Sequence, residues 1–117
     1  MTYVDGFLLA VPKAKVDEYK SLAQKASKVW MEYGALSYVE TVADDVPYGE
    51  LTSFPRAVHA KEDEIVVFSW ITYKSREDRD RIMAKVMEDP RLKDEMENTP
   101  FDGKRMIFGG FKAIVEA

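Results

Sequence analysis

Ile65 to Tyr73, IVVFSWITY, is a run of nine residues rich in β-branched and aromatic types, with no Gly, Pro or charged side chain to interrupt it. Such a composition forms a strand. Side chains alternate between the two faces of a strand, and this run is apolar at nearly every position, so both of its faces need cover. Met106 to Val115, MIFGGFKAIV, is likewise apolar at nearly every position, although it contains Gly109, Gly110 and Lys112. Any fold for this chain must therefore supply two covering layers for at least two strands.

The rest of the chain supplies one of them. Val4 to Val11, VDGFLLAV, is a short apolar run closed by Pro12 and reads as the first strand. From Lys13 the period changes. Val16, Tyr19, Ala23, Ala26, Trp30 and Tyr33 recur at helical spacing, Leu22 and Val29 widen that face, and Gly34 ends it. Ala35 to Ala43 alternates as a second strand until Asp44, Asp45, Pro47 and Gly49 break it. Phe54 to Ala60, FPRAVHA, reads as a further short strand or the resumption of that one. Ser75 followed by Asp78 resembles a capping box, and the helix behind it carries Ile82, Met83, Val86 and Met87 as far as Asp89-Pro90. Asp89 can cap a second short helix with Pro90 at its first position and Leu92 and Met96 inward. A loop from Asn98 to Gly103 leads to a last strand from about Arg105 to Val115.

The order β-α-β-(β)-β-α-β, in 117 residues without repeats or a linker, predicts a single domain over 1–117. Its fold class is α+β: a ferredoxin-like sandwich with an antiparallel sheet and two main helices on one face. No helix remains for the other face. A second copy of the chain, sheet against sheet, is the economical cover, so a homodimer is expected.

Several function classes drop out on composition. There are no cysteines, which excludes disulfides and thiolate chemistry. The formal net charge is -4, and Lys13, Lys15, Lys20, Lys25 and Lys28 share their helix with Asp17, Glu18 and Glu32, so no basic stripe for nucleic acid is expected. No run of about eighteen apolar residues suggests a membrane span, and MTYVDGFLLAVP lacks the pattern of a signal peptide. A cytoplasmic location is expected.

The segments YVDGFLLAVP, VVFSWITY, the DPR at 89–91 and PFDGKRMIFGGF together resemble the YbaA-like family of small bacterial proteins of unknown function. The resemblance implies the dimeric α+β barrel superfamily, whose members include cofactor-independent antibiotic-biosynthesis-type monooxygenases and muconolactone isomerase-like enzymes. It implies a fold, a dimer and a pocket between sheet and helices, and brings no catalytic residue with it.

Candidate chemistry is sparse. His59, the only histidine, is a candidate base or single metal ligand, set against an exposed strand-end residue without an orienting partner. Asp5 interrupts an apolar strand, the setting in which a carboxyl can be fitted for proton transfer or held by purely structural bonds; Glu40 raises the same question. Arg105, on the side of its expected strand with Ile107, Gly109 and Phe111, is a candidate anchor for a ligand anion or one half of an ion pair. Trp30, Trp70, Phe101 and Met106 are candidate pocket walls, although Trp30 and Tyr33 are most simply explained as core. Asp102-Gly103 reads as a tight turn, and Gly109-Gly110 as room for a neighbouring layer, since the phosphate-loop spacing is missing. No metal and no cofactor is expected.

The leading expectation is a homodimer that binds a small organic molecule in an apolar pocket, with cofactor-independent monooxygenase-like or isomerase-like chemistry as its finer form. A dimeric binding module without chemistry is the alternative, and RNA binding a distant third.

Overall fold

The computed structural model describes residues 2–117. Strand β1 (Tyr3–Pro12) passes through a 3-10 turn into helix α1 (Val16–Glu32), followed by β2 (Ser37–Val42), the short helix α2 (Phe54–Ala57), β3 (Glu64–Tyr73), α3 (Arg76–Glu88), the single turn α4 (Pro90–Lys93) and β4 (Ile107–Lys112). The sheet order is β2-β3-β1-β4 with every neighbouring pair antiparallel, a ferredoxin-like α+β arrangement.

Both long helices lie on one face. Val29 and Trp30 of α1 and Ile82 and Val86 of α3 pack against Ile71 and Tyr73 of β3, while Tyr19 and Ala23 cover Leu9, Val11 and Val67. Complete burial of side chains such as Ile82 and Val86 contributes about 1.5 to 3 kcal/mol each. Helix α1 stops as expected at Gly34, whose φ of +114° is costly for other residues; Ala35 N–H reaches the Trp30 carbonyl and Gly34 N–H that of Met31. Ser75 caps α3 by accepting from Asp78 N–H, and the Asp89 side chain caps α4 by accepting from Arg91 N–H.

The segment 54–60 is not a strand. Ser53 Oγ accepts from Arg56 N–H at 3.1 Å, and Pro55, which has no N–H to lose, sits in the first turn of α2. His59 then takes φ +50° and closes the helix: its N–H bonds to the Arg56 carbonyl and Ala60 N–H to that of Pro55. The expected strand-end histidine is thus a helix stop.

The last strand is also shorter than expected. Arg105 belongs to a 3-10 turn, Gly103–Arg105, capped by the Asp102 side chain, and pairing with β1 begins at Ile107. On the face away from the helices, Val4, Gly6 and Leu8 of β1 lie beside Phe68 and Trp70 of β3 and Ile107, Gly109 and Phe111 of β4. Phe68, Ile107 and Phe111 are 44%, 46% and 65% exposed. Helix α2 and its stop cover one end of this face, where Val58 packs on Ala10 and Val66 and the Phe54 ring meets that of Phe68 edge to face at 5.8 Å; among the described residues no helix lies over the rest of it.

Candidate functional site

Between α1 and the sheet lies a cavity of about 120 Å³. It exists because α1 presents Ala23 and Ala26 to the sheet at positions flanked by Tyr19, Leu22 and Trp30, and two methyl groups cannot fill the space that their larger neighbours hold open. Its floor is a row across three strands, Phe7 of β1, Ser69 of β3 and Glu40 of β2, which the antiparallel register sets side by side. Met96, Phe101 and Met106, from the connection between α4 and β4, close it; Phe101 meets the Tyr19 ring edge to face at 5.7 Å. Lys25 Nζ and Glu95 Oε1, 2.8 Å apart, tie that connection to α1.

One wall is polar. Glu40 accepts a hydrogen bond from Tyr19 Oη at 2.7 Å through one carboxyl oxygen and from Tyr38 Oη at 2.9 Å through the other. Burial, reinforced by Glu40, pushes both phenol pKa values well above their ordinary value, so each tyrosine keeps its proton and spends it on the carboxyl. Tyr19, Tyr38, Glu40 and Ala23 also line a cleft on the outer side, together with Lys20, Gln24 and Ser27. The three hydrogen-bonded side chains therefore stand between the cavity and the surface.

A second polar group lies deeper. Trp30, whose ring lines the cavity, donates from Nε1 to Tyr73 Oη at 3.1 Å; Tyr73 donates to Asp5 Oδ2 at 3.0 Å, and Arg79 Nε to Asp5 Oδ1 at 3.0 Å. Asp5 is 5% exposed and does not line the cavity. Its oxygens are engaged by groups that hold two strands and two helices together, which is a structural arrangement. Burial and Asp5 push the Tyr73 phenol upward. The guanidinium of Arg79 passes over Gly110, where a Cβ would overlap it and Tyr3 Oη. Gly110 is thus the glycine of the pair that makes room; a Cβ on Gly109 would meet only ordinary contact with the Phe111 ring at 3.6 Å.

Arg105, expected beside an apolar strand face, lies outside the cavity. It makes a bidentate pair with Glu64 at 2.7 and 2.8 Å, adds Asp102 Oδ2 at 3.0 Å, and reaches the His59 carbonyl at 2.9 Å. The bond from Arg105 pulls the Glu64 carboxyl down to about 2. Arg105 therefore clamps the stop of α2 to the start of β3. His59 is exposed and separate from the cavity.

Of the sequence candidates, the cavity brings together Trp30, Trp70, Phe101 and Met106 and leaves out Asp5, His59 and Arg105. Strand alternation turns Trp70 toward the open face, so it belongs to both surfaces. Sequence reasoning missed Tyr38 as the partner of Glu40. The available signal was their spacing of two, which puts both on the helix-facing side of β2. Among the described residues no three His, Asp or Glu side chains gather as a metal group, and no helix is long and apolar enough to cross a membrane.

The sequence model of the family described as "Protein of unknown function (DUF1428)" matches residues 2–103. The chain is 54% identical over 116 residues to the uncharacterized protein YbaA of Escherichia coli strain K12, covering 99% of each. Among solved structures it is similar to a dimeric ferredoxin-like protein from an uncultured marine organism, at TM-score 0.63 and 14% identity over the whole of both chains. It is also similar to SnoaB, a cofactor-independent oxygenase from Streptomyces nogalater, at TM-score 0.57 and 14% identity over 98% of this chain and 93% of that one. At such identities the likeness is one of fold.

Proposed function

The chain belongs to the DUF1428 family of proteins of unknown function, and from that premise we propose that it is a homodimer, each copy of which binds a small organic molecule in the cavity between α1 and the sheet. The observation that carries the reading is Glu40, held by Tyr19 and Tyr38 in an otherwise apolar enclosure. Ligand sites combine apolar walls with a few fixed polar groups of this kind.

The uncovered face of Phe68, Trp70, Ile107 and Phe111 supports the dimer, as does the fold shared with a protein described as dimeric. Turnover is the finer form of the reading. The neighbour described as a cofactor-independent oxygenase supports it by fold analogy alone, and Glu40 is the group on which an isomerase-type proton shift would turn.

The test is a panel of small organic compounds followed by thermal shift and by NMR of the Trp30 indole N–H, repeated on Ala26→Leu, which fills the cavity from α1. Binding that perturbs Trp30 in the natural protein and disappears in a folded Ala26→Leu variant is the expected result. Binding that survives the filling places the ligand elsewhere and ends this reading.

A further inference from the structure

Resting on that binding reading, we propose that the cavity takes a compact organic ammonium: an apolar body of about four or five heavy atoms carrying a protonated amine that docks on Glu40.

The inference comes from an inventory of donors and acceptors. Among the described residues no Lys, Arg or His lines the cavity, and Glu40 is its acid. Three of the donors in the lining are already used, which leaves the Ser69 hydroxyl and the Trp70 N–H. Both phenol protons go to Glu40, and the Trp30 N–H goes to Tyr73. What remains is mostly acceptance. A carboxyl has about four lone-pair sites, two of which the tyrosines occupy, and each phenol oxygen can accept a further bond. An ammonium head has three donors and no acceptor, so it leaves nothing of its own unpaired; an alcohol brings an acceptor as well, for which the Ser69 hydroxyl and the Trp70 N–H are the donors left in the lining.

The walls agree with the head group. Phe7, Tyr19, Trp30, Tyr38 and Phe101 surround the same space, and aromatic faces attract a cation through their quadrupoles. A carboxyl beside them supplies the counter-charge that a buried cation requires. The volume sets the size. An apolar cavity of roughly 150 Å³ holds benzene, so one of about 120 Å³ admits a body slightly smaller than a ring.

Isobutylamine, isobutanol and isobutyrate share a skeleton and differ in the head, and titration of each is followed at the Trp30 indole N–H. The amine should bind at least about tenfold more tightly than the alcohol, as a charge-assisted bond does over a neutral one, and the acid should not bind. Glu40→Gln should bring amine and alcohol to within about twofold of each other. Alcohol binding that equals or exceeds amine binding in the natural protein overturns the ammonium assignment while leaving the cavity as a binding site. Isobutyrate binding overturns it in the same way. Failure of all three overturns the compact-ammonium proposal, while the binding reading stands or falls separately on the compound panel and Ala26→Leu.

Discussion

Arg79 Nε and Asp5 Oδ1 lie 3.0 Å apart, and the guanidinium reaches that position by crossing Gly110 of the neighbouring strand. The ion pair joins α3 to β1, and through Tyr73 and Trp30 it extends to β3 and α1. Asp5→Ala would leave the Tyr73 hydroxyl without its acceptor and the Arg79 guanidinium with Asp80 alone. It should lower unfolding free energy in urea by about 2 to 3 kcal/mol, whereas Tyr73→Phe, which removes hydroxyl bonds and no charge, should cost about 1 kcal/mol. Equal losses in the two variants would mean that the charge at Asp5 contributes nothing.

The two adjacent glycines should separate under substitution. Gly110→Ala puts a methyl group into the space used by Arg79 and Tyr3 and should destabilise by about 1 to 3 kcal/mol. Gly109→Ala should change folding stability by less than about 0.5 kcal/mol. Gly103→Ala should be similarly mild, because nothing lies within 4 Å of a Cβ there. Denaturant midpoints of the three variants decide the matter.

Glu64 gives a pH signature. Its folded-state pKa of about 2 lies below the ordinary value of 4.5, so the stabilisation from its pair with Arg105 is fully present above about pH 4.5 and is lost as pH falls through 2. The gap in melting temperature between the natural protein and Glu64→Gln should be constant from pH 7 to 5 and narrow steadily below pH 4.5. A gap that widens with acidification would show that the pair does not stabilise the fold.

Phe68 and Val67 are neighbours with opposite fates. Phe68 stands on the uncovered face, whereas Val67 is 1% exposed beneath α1. Phe68→Asp should remain folded and scatter light as a 13.4 kDa monomer, against about twice that mass for the natural protein; Val67→Asp should not fold. A folded Phe68→Asp protein of unchanged dimeric mass would move the interface off this face.

The sheet and both long helices were legible because IVVFSWITY and the stripe from Val16 to Tyr33 express their periods within single elements. FPRAVHA misled because Ser53, the residue that starts its helix, lies outside the apolar run, and because Val58, buried behind the helix, mimics strand alternation. Arg105 stayed open between a ligand anchor and an ion pair for a different reason. Its partner Glu64 is 41 positions away, and no local pattern distinguishes a side chain committed to a distant carboxyl from one free to meet a ligand. The cavity was least legible of all. It depends on the smallness of Ala23 and Ala26, which a reading for apolar periodicity counts as core like any other.

The partition between cavity and outer cleft is one layer of side chains: Glu40 and the two tyrosines that hold it. No strand or helix has to separate for that layer to part. Two hydrogen bonds to a carboxylate must break, a net cost of about 3 to 6 kcal/mol, and aromatic side chains must turn. A door of that weight gives short residence times. Its occupant would equilibrate with the surrounding solution much faster than the protein unfolds, so that occupancy follows concentration moment by moment, as in a sensor or a turnover site, and the resonances of Trp30 would shift continuously through a titration instead of splitting into two sets.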